Sequence, residues 1–385
     1  MRKKHNFVCL AETQQVQGTL FNVGLDVHGF KGYQENMEIY GSAVPSVLSS
    51  EFDLFLEAYF KYRTIVNFCQ IDSSSTRLNL AKLLSAIEMY LKKVIDIYIK
   101  KAKILTFKPQ ASFYEQLGPG GMVLLAEIRR YIKTVAEENG LPSICMLDCK
   151  RGDISTTQAA YFNAYLGNLS EDWGLGYSPY DFDIINVTPW MGSDVMVLYD
   201  KDKEGNLSPA KGLNLMRDGK GLIGVNKTSN PSGPEYQELK VNGPDATLHM
   251  KHVSDMKKIS KKEKLENRGL STIGLVVGST HVCDGSIRKL FPGTTLLVPG
   301  FGAQGGKFYK IMLELIRAEK WNGQGAIFSA SRSSIFPFFA KYGGSGNPKN
   351  LEDDILLSVD NFKKDEKCAY ETKEVAAAGI RYPFL

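Results

Sequence analysis

The sequence has little of what marks a secreted, membrane-bound or metal-held protein. Its six cysteines, Cys9, Cys69, Cys145, Cys149, Cys283 and Cys368, are scattered and include no CxxC pair. Cys145 and Cys149 have no second pair to complete a zinc site. At this density a disulfide framework is not expected, and reduced thiols in a cytoplasmic protein are. No run of roughly 18 apolar residues occurs, so no membrane span is expected. The opening MRKK is followed only by FVCLA before polar residues appear, too short a stretch for the core of a signal peptide. Histidine is scarce, five in all. His281 is read as standing shortly after an expected strand, and a Ser-His or Cys-His nucleophile is not expected. Charge of one sign is also in short supply. The net charge of +5 is mild and suits an anionic small molecule as readily as a nucleic acid.

What is present is a series of short apolar, β-branched runs: residues 21–26, 104–108, 143–150, 183–188, 221–229, 271–279, 294–300 and 326–332. Near-continuous apolar strands suit a parallel sheet buried on both faces. Between them, Glu51–Phe68, Leu80–Ile99 and Met122–Glu138 carry apolar residues at helical spacing. The last is preceded by Gly-Pro-Gly-Gly, read as a turn, and closed by Asn139-Gly140, a good C-terminal stop. Strands alternating with helices in this number predict a (β/α)8 TIM barrel with insertions.

The 385 residues fit one such domain over 1–385, with a barrel core at about 20–340, a helical N-terminal extension and a C-terminal tail. Residues 155–182, 201–220 and 230–270 read as insertions, because no linker separates two independent cores. The third holds the basic run Lys257, Lys258, Lys261, Lys262 and Lys264. With no aromatic residues interleaved, this predicts a solvated helix face rather than a nucleic-acid site. His249 and His252, at i and i+3, lack a third metal ligand and are expected on that surface helix.

Active-site residues of such barrels project from the C-terminal ends of strands. Strand 1 ends in Asp26, strand 2 in Lys108 and strand 3 in Asp148-Cys-Lys150, with Asp153 three residues on. Alternation along a strand projects Asp148 and Lys150 to the same side. Charges of alternating sign closing an apolar strand make sense as a paired network, since burying an unpaired charge is costly. Strand 4 ends in Thr188, and strand 5 in Thr228-Ser229, which offers hydroxyls suited to a base edge. After strand 7 comes Pro299-Gly300-Phe-Gly-Ala-Gln304-Gly-Gly, and strand 8 ends in Ser331-Arg332. Loops 7 and 8 frequently build a phosphate site, with glycine backbone amides and a bidentate arginine.

Taken together, Asp148-Cys-Lys150-Arg-Gly-Asp153-Ile154, FKPQ at 107–110, KTSNP at 227–231, VVGS at 276–279 and PGFGAQGG at 299–306 resemble the orotidine 5′-phosphate decarboxylase family. The flavour is that of its longer bacterial and apicomplexan-type branch, and the motifs span residues 24 to 332 in the family's order. The resemblance implies decarboxylation of orotidine 5′-phosphate to UMP in pyrimidine biosynthesis, with no metal or other cofactor. It implies that Asp26 and Lys108 bind the ribose hydroxyls, with Lys108 joining the charged network. Asp148 would sit against the substrate carboxylate, and Lys150 would deliver the proton. Thr228 and Ser229 would meet the pyrimidine. Gln304 would bridge base and phosphate, Pro299, Gly300 and Ser331 would line the phosphate loops, and Arg332 would hold the phosphate. Asp153 and Thr157 would reach into the site of a second copy, making a homodimer. A complex with orotate phosphoribosyltransferase joins the expected partners; nucleic acid and membrane do not. Ser331 departs from the glycine that many relatives carry before the arginine.

The nearest rival is a related D-x-K-x-x-D barrel that uses Mg2+ to stabilise an enediolate from a sugar phosphate. It would want a carboxylate near the end of strand 2, where Lys108 and Pro109-Gln110 stand instead. A non-catalytic nucleotide-binding protein would need only Gln304, Arg332 and the glycines, and has no reason to keep Lys108, Asp148, Lys150 and Asp153. Fold alone does not decide between them.

Overall fold

The computed structural model describes residues 5–167, 173–196, 199–201, 207–209, 219–242, 247–260, 270–278, 285–300, 324–377, 379 and 381–384. Its main sheet contains β1 (Phe21–Gly24), β2 (Thr106–Lys108), β3 (Ile144–Arg151), β4 (Ile184–Val187), β5 (Gly221–Lys227), β6 (Ile273–Val277), β7 (Leu296–Pro299) and β8 (Ala326–Ala330). These form a closed barrel in which sheet neighbours are sequence neighbours and β8 lies beside β1. The registered pairs run parallel. The expected (β/α)8 barrel is therefore present. By contact density the chain divides into two compact units, one of Met1–Asn22, Ile144–Ala330 and Asn361–Leu385, the other of Val23–Ser143 and Ser331–Asp360.

In the first unit, helix α1 (Asn6–Gln17) supplies Phe7, Val8 and Leu10 to a core with Ile144 and Met146 of β3, Ile184 of β4, Ile223 of β5, Val276, Leu297 and Ile327. These strand residues share one face, and the alternation along that face explains the site. In β3 the residue after Ile144 and Met146 is Asp148; in β4 the residue after Ile184 is Asn186. The amino ends are thus filled with hydrocarbon, and the same face turns polar at the carboxyl ends. The side chain of His5 accepts a hydrogen bond from Phe7 N at 3.2 Å and caps α1, and burial lowers its pKa to about 4. At the other end of the chain, Glu366 is fully buried. It accepts hydrogen bonds from Thr19 Oγ1 at 2.6 Å and Leu20 N at 3.0 Å.

The second unit is built from α2 (Gly32–Tyr40), α3 (Phe52–Ile65), α4 (Ser74–Asp96), α5 (Ala111–Glu115) and α6 (Gly118–Glu138). The three helices expected here are present. Ser73 caps α4 through Thr76 N at 3.3 Å, and Asn139 with Gly140 (φ 64°) stops α6 as expected. Gly-Pro-Gly-Gly differs from its expectation. It forms the first turn of α6 rather than a turn before it, with Pro119 where a missing N–H costs nothing. A Cβ on Gly121 would lie 2.8 Å from Leu117 Cβ and closer still to the Tyr114 carbonyl oxygen, so the α5–α6 junction requires glycine.

The insertions also differ. Residues 155–165, the start of the first, form helix α7 (Ser155–Tyr165) directly after β3. Within and beside the second, Tyr199–Lys201 and Leu207–Pro209 pair as an antiparallel hairpin. The third contains α8 (Leu248–Ser260), whose Val253 and Met256 are buried while Lys258 is 67% exposed, so this part of the basic run is the solvated face expected. His252 departs from the surface placement. It turns toward β5, where its Nδ1 lies 2.9 Å from Asn226 Nδ2, and burial lowers its pKa to about 4. A pocket of about 150 Å³ between β4, β5 and α8 is lined by Trp190, Asn226 and His252 among others and by none of the expected site residues. Among the described residues no helix is long and apolar enough to cross a membrane, and no cluster of His, Cys, Asp or Glu could hold a metal ion.

Candidate active site

The carboxyl end of β3 is irregular. Leu147 pairs with Ile185 and Arg151 with Val187, so β3 spends two more residues than β4 between these pairs. Such a bulge re-aims side chains. Lys150 sits at its crest with φ 47°, a left-handed conformation that costs a non-glycine residue on the order of 1–2 kcal/mol. The Lys150 ammonium contacts Asp148 Oδ1 in an ion pair. The side chain of Asp148 is 9% exposed and that of Lys150 43%, so the anion is enclosed while the cation faces outward. Asn186 of β4 joins both. Its Oδ1 accepts from Cys149 N at 2.8 Å and Lys150 N at 2.7 Å, and its Nδ2 donates to Asp148 Oδ1 at 2.6 Å. Burial pushes the Cys149 thiol up to about 12, so it is no nucleophile at neutral pH.

The turn after Lys150 is held tightly to β4. Thr188 N donates to Arg151 O at 2.9 Å, and Thr188 Oγ1 to Lys150 O at 3.2 Å. A Cβ on Gly152 would collide with the Thr188 carbonyl oxygen, so glycine is needed where the two chains pass. Arg151 leaves the charged group and lies over the rings of Tyr161 and Tyr165 at 5.6 and 5.9 Å. Asp153 is half-buried; its Oδ1 accepts from Ile154 N at 2.7 Å, and its own N–H donates to Gln158 Oε1 at 2.9 Å. Thr157, on the first turn of α7, is exposed.

At the end of β5, the Thr228 side chain is engaged by its own loop. Its hydroxyl donates to Asn230 Oδ1 at 2.6 Å and accepts from Gln237 Nε2 at 2.6 Å, while its N–H donates to Gln237 Oε1 at 3.0 Å. Thr228 therefore braces the turn that presents Ser229. Gly278, just past β6, approaches that turn closely: a Cβ there would lie 2.7 Å from Ser229 N. Pro299 and Gly300 close β7, and Gly300 has φ 88°, which favours glycine. Gln304 and the glycines at 302, 305 and 306 lie outside the described residues, as does His281.

In the second unit, Asp26 and Lys108 are 9% and 4% exposed and stand just past β1 and at the end of β2. Asp26 Oδ2 accepts from Ser331 Oγ at 2.6 Å. The serine at the departure from the glycine pattern thus holds a candidate substrate residue. Asp26 Oδ1 is buried with no hydrogen-bond partner among the described residues. Arg332 is exposed on the turn Arg332–Ile335. Tyrosines fix both segments: Tyr98 Oη donates to Ser334 O at 2.9 Å and Tyr90 Oη to Ile335 O, while Tyr114 Oη donates to Leu25 O and Tyr40 Oη to His28 O, each at 2.7 Å. His28 is a neighbour the sequence did not single out. Burial holds its pKa below the ordinary value, opposed by the Asp26 charge and reinforced by that of Arg332.

Charged residues expected at the site, Asp148 with Lys150 and, in the other unit, Asp26 and Lys108, thus stand at the carboxyl ends of barrel strands. Residues 84–333 match the sequence model of the orotidine 5′-phosphate decarboxylase / HUMPS family. The chain belongs to that family. A Rhodopirellula baltica orotidine 5′-phosphate decarboxylase is 36% identical over 230 residues, 60% of this chain and 67% of that protein. The Caldicellulosiruptor bescii enzyme of the same name is 30% identical over 250 residues, 65% of this chain and 73% of that protein. In fold, the chain is similar to Plasmodium berghei orotidine 5′-monophosphate decarboxylase, with a TM-score of 0.60 at 18% identity, covering 94% of this chain and 99% of that one. It is also similar to Leishmania donovani UMP synthase, with a TM-score of 0.55 at 20% identity, covering 94% of this chain and 57% of that one. The orotidine 5′-phosphate decarboxylase resemblance read from the motifs is therefore upheld at the level of the family.

Proposed function

We propose that the chain decarboxylates orotidine 5′-phosphate to UMP without a cofactor, with Lys150 as the proton donor. The observation that carries this reading is the Lys150–Asp148 pair at the end of β3, in a member of this family. The carbon–carbon bond to the carboxylate breaks, its electron pair stays on the pyrimidine carbon and CO2 leaves. An ammonium at Lys150 stabilises that carbanion as it develops, gives it a proton and is reprotonated from solvent. The enclosed Asp148 carboxylate pairs with the ammonium and, beside the substrate carboxylate, disfavours the bound ground state. Lys108 and Asp26 take the ribose hydroxyls, and the Asp26 Oδ1, which has no hydrogen-bond partner among the described residues, suits a hydroxyl donor. Ser229 takes the pyrimidine on the turn braced by Thr228. Gln304, Arg332 and the turns bearing Pro299, Gly300 and Ser331 take the phosphate, whose binding energy can be spent on the chemical step.

The same reading makes residues 1–385 one decarboxylase domain, acting as a homodimer in which Asp153 and Thr157 serve the partner's site; the exposure of Thr157 beside the end of β3 supports it. Orotate phosphoribosyltransferase is the further partner it names. The test is loss of orotidine 5′-phosphate absorbance on adding purified protein with EDTA and no cofactor. Conversion to UMP is expected; a folded dimer that converts none, or converts only with Mg2+, refutes the reading.

A further inference from the structure

We propose that Asn186 is a positioning residue for the proton transfer, setting Lys150 and Asp148 with a single side-chain amide. The inference deepens the reading above and rests on Lys150 as proton donor. The bulge leaves the N–H groups of Cys149 and Lys150 outside the β3–β4 ladder, between the Leu147–Ile185 and Arg151–Val187 pairs. Buried backbone donors need an acceptor, and Asn186 Oδ1 accepts from both. Two N–H groups converging on one atom identify it as the oxygen, so the amide orientation is fixed and Nδ2 must face Asp148. There it donates to Oδ1, the same oxygen that pairs with the Lys150 ammonium. One amide therefore holds the crest of the bulge, where Lys150 has φ 47°, and the carboxylate that the ammonium is paired with. Asn186 is 3% exposed, and among the described residues its side chain makes three bonds, all to residues 148–150.

Few residues can do this. An apolar side chain of similar size would leave two buried N–H groups and one carboxylate lone pair unsatisfied. A carboxylate would satisfy the N–H groups but, once ionised, would set an anionic oxygen against Asp148 Oδ1 in place of the amide donor. Among the described residues, the titratable groups tied to the position are Asp148 and Lys150, with the Cys149 thiol and Arg151 beside them on β3.

That distinction supplies the test. Asn186→Asp keeps the oxygen for the two N–H groups and, when protonated, the donor to Asp148. Its kcat is expected to fall about 10–100-fold near pH 8 and to recover toward the wild-type value near pH 5, with the loss in kcat rather than KM. Asn186→Leu is expected to lose kcat by at least as much at every pH, with no recovery. A pH profile for Asn186→Asp that parallels wild type overturns the proposal, as does a wild-type kcat in Asn186→Leu. If Asn186→Leu does not fold, Asn186→Asp alone decides, because its protonated form makes every bond the asparagine makes. A wild-type chain that does not decarboxylate orotidine 5′-phosphate removes the functional reading and this inference together. An active wild type with a parallel Asn186→Asp profile removes the inference alone.

Discussion

Gly278 gives a prediction that can be worked from distances. A Cβ at this position would lie 2.7 Å from Ser229 N, 2.9 Å from Ser229 Cβ and 3.0 Å from Ser229 Cα. Real Cβ atoms essentially never come within 3.0 Å of such atoms, and ordinary contact begins at 3.4 Å. Gly278→Ala must therefore move the Ser229 turn by about 0.3 Å at least and by about 0.7 Å to relax fully. The turn cannot give way freely, because Gly278 N donates to Lys227 O at 2.7 Å and Thr228 is tied to Gln237 and Asn230. A displacement of that size spoils one hydrogen bond to the substrate, worth about 1 kcal/mol, or roughly fivefold in kcat/KM.

The assay is a double-mutant cycle with Ser229→Ala, measured as kcat/KM for orotidine 5′-phosphate on variants whose folding is first checked by urea denaturation. Overpacking alone is expected to cost about 1–3 kcal/mol of stability, which the urea curves separate from the kinetic effect. If Gly278 acts by placing the Ser229 hydroxyl, the double variant loses little more than Ser229→Ala. Strict additivity, or a Gly278→Ala enzyme with wild-type kcat/KM, would refute the reasoning.

Lys150→Ala is expected to abolish turnover while largely sparing UMP binding, and near-normal turnover would end its role as proton donor. Mixing inactive Lys150→Ala and Asp153→Ala subunits is expected to restore part of the activity, since some mixed dimers hold one intact site; no recovery after demonstrated subunit exchange counts against sharing. Burial raises the pKa of Glu366 to about 7. The folded chain therefore binds its proton more tightly than the unfolded one, and this contribution to stability is lost as pH rises through the window from the ordinary carboxylate value to about 7. Relative to Glu366→Gln, wild type should lose on the order of 3 kcal/mol between about pH 4.5 and 8 in urea titrations, a comparison in which the opposite contributions of buried His5 and His252 cancel. A constant difference across that range would refute the assignment.

The barrel was legible because its strands are apolar on both faces, a pattern that survives without knowledge of their partners. Their ends were less so. The expected strand at 221–229 stops at Lys227, and the turn that follows is shaped by Gln237 and Gly278, residues that sequence distance hides. Helix α1 gave only FVCLA to read, yet Phe7, Val8 and Leu10 join the barrel core, because their partners come from six strands. Alternation led to the Asp148–Lys150 pair, but the structure reaches it through a bulge with a left-handed Lys150. Asn186 does carry a signal in the sequence: a lone amide in the apolar run DIINVT must find partners once buried.

The two carboxylates proposed to meet substrate, Asp148 and Asp26, are treated in opposite ways within their own surroundings, and the difference follows from the role proposed for each. Asp148 Oδ1 takes the Lys150 ammonium and the Asn186 amide, so its charge is compensated within the chain before any substrate arrives. Removing either partner would leave a buried anion short of a bond, a loss of about 1–3 kcal/mol or more. Asp26 is satisfied at Oδ2 by Ser331 but keeps Oδ1 buried with no hydrogen-bond partner among the described residues. A fold gains nothing from such an atom, and each one costs about as much as the bond it lacks. A carboxylate that completes a proton-transfer pair must be fixed in advance, because its task is to hold a charge in place. A carboxylate that recognises a hydroxyl does better with a vacant lone pair, because the ligand then supplies the missing bond and discrimination against analogues lacking it comes with the binding.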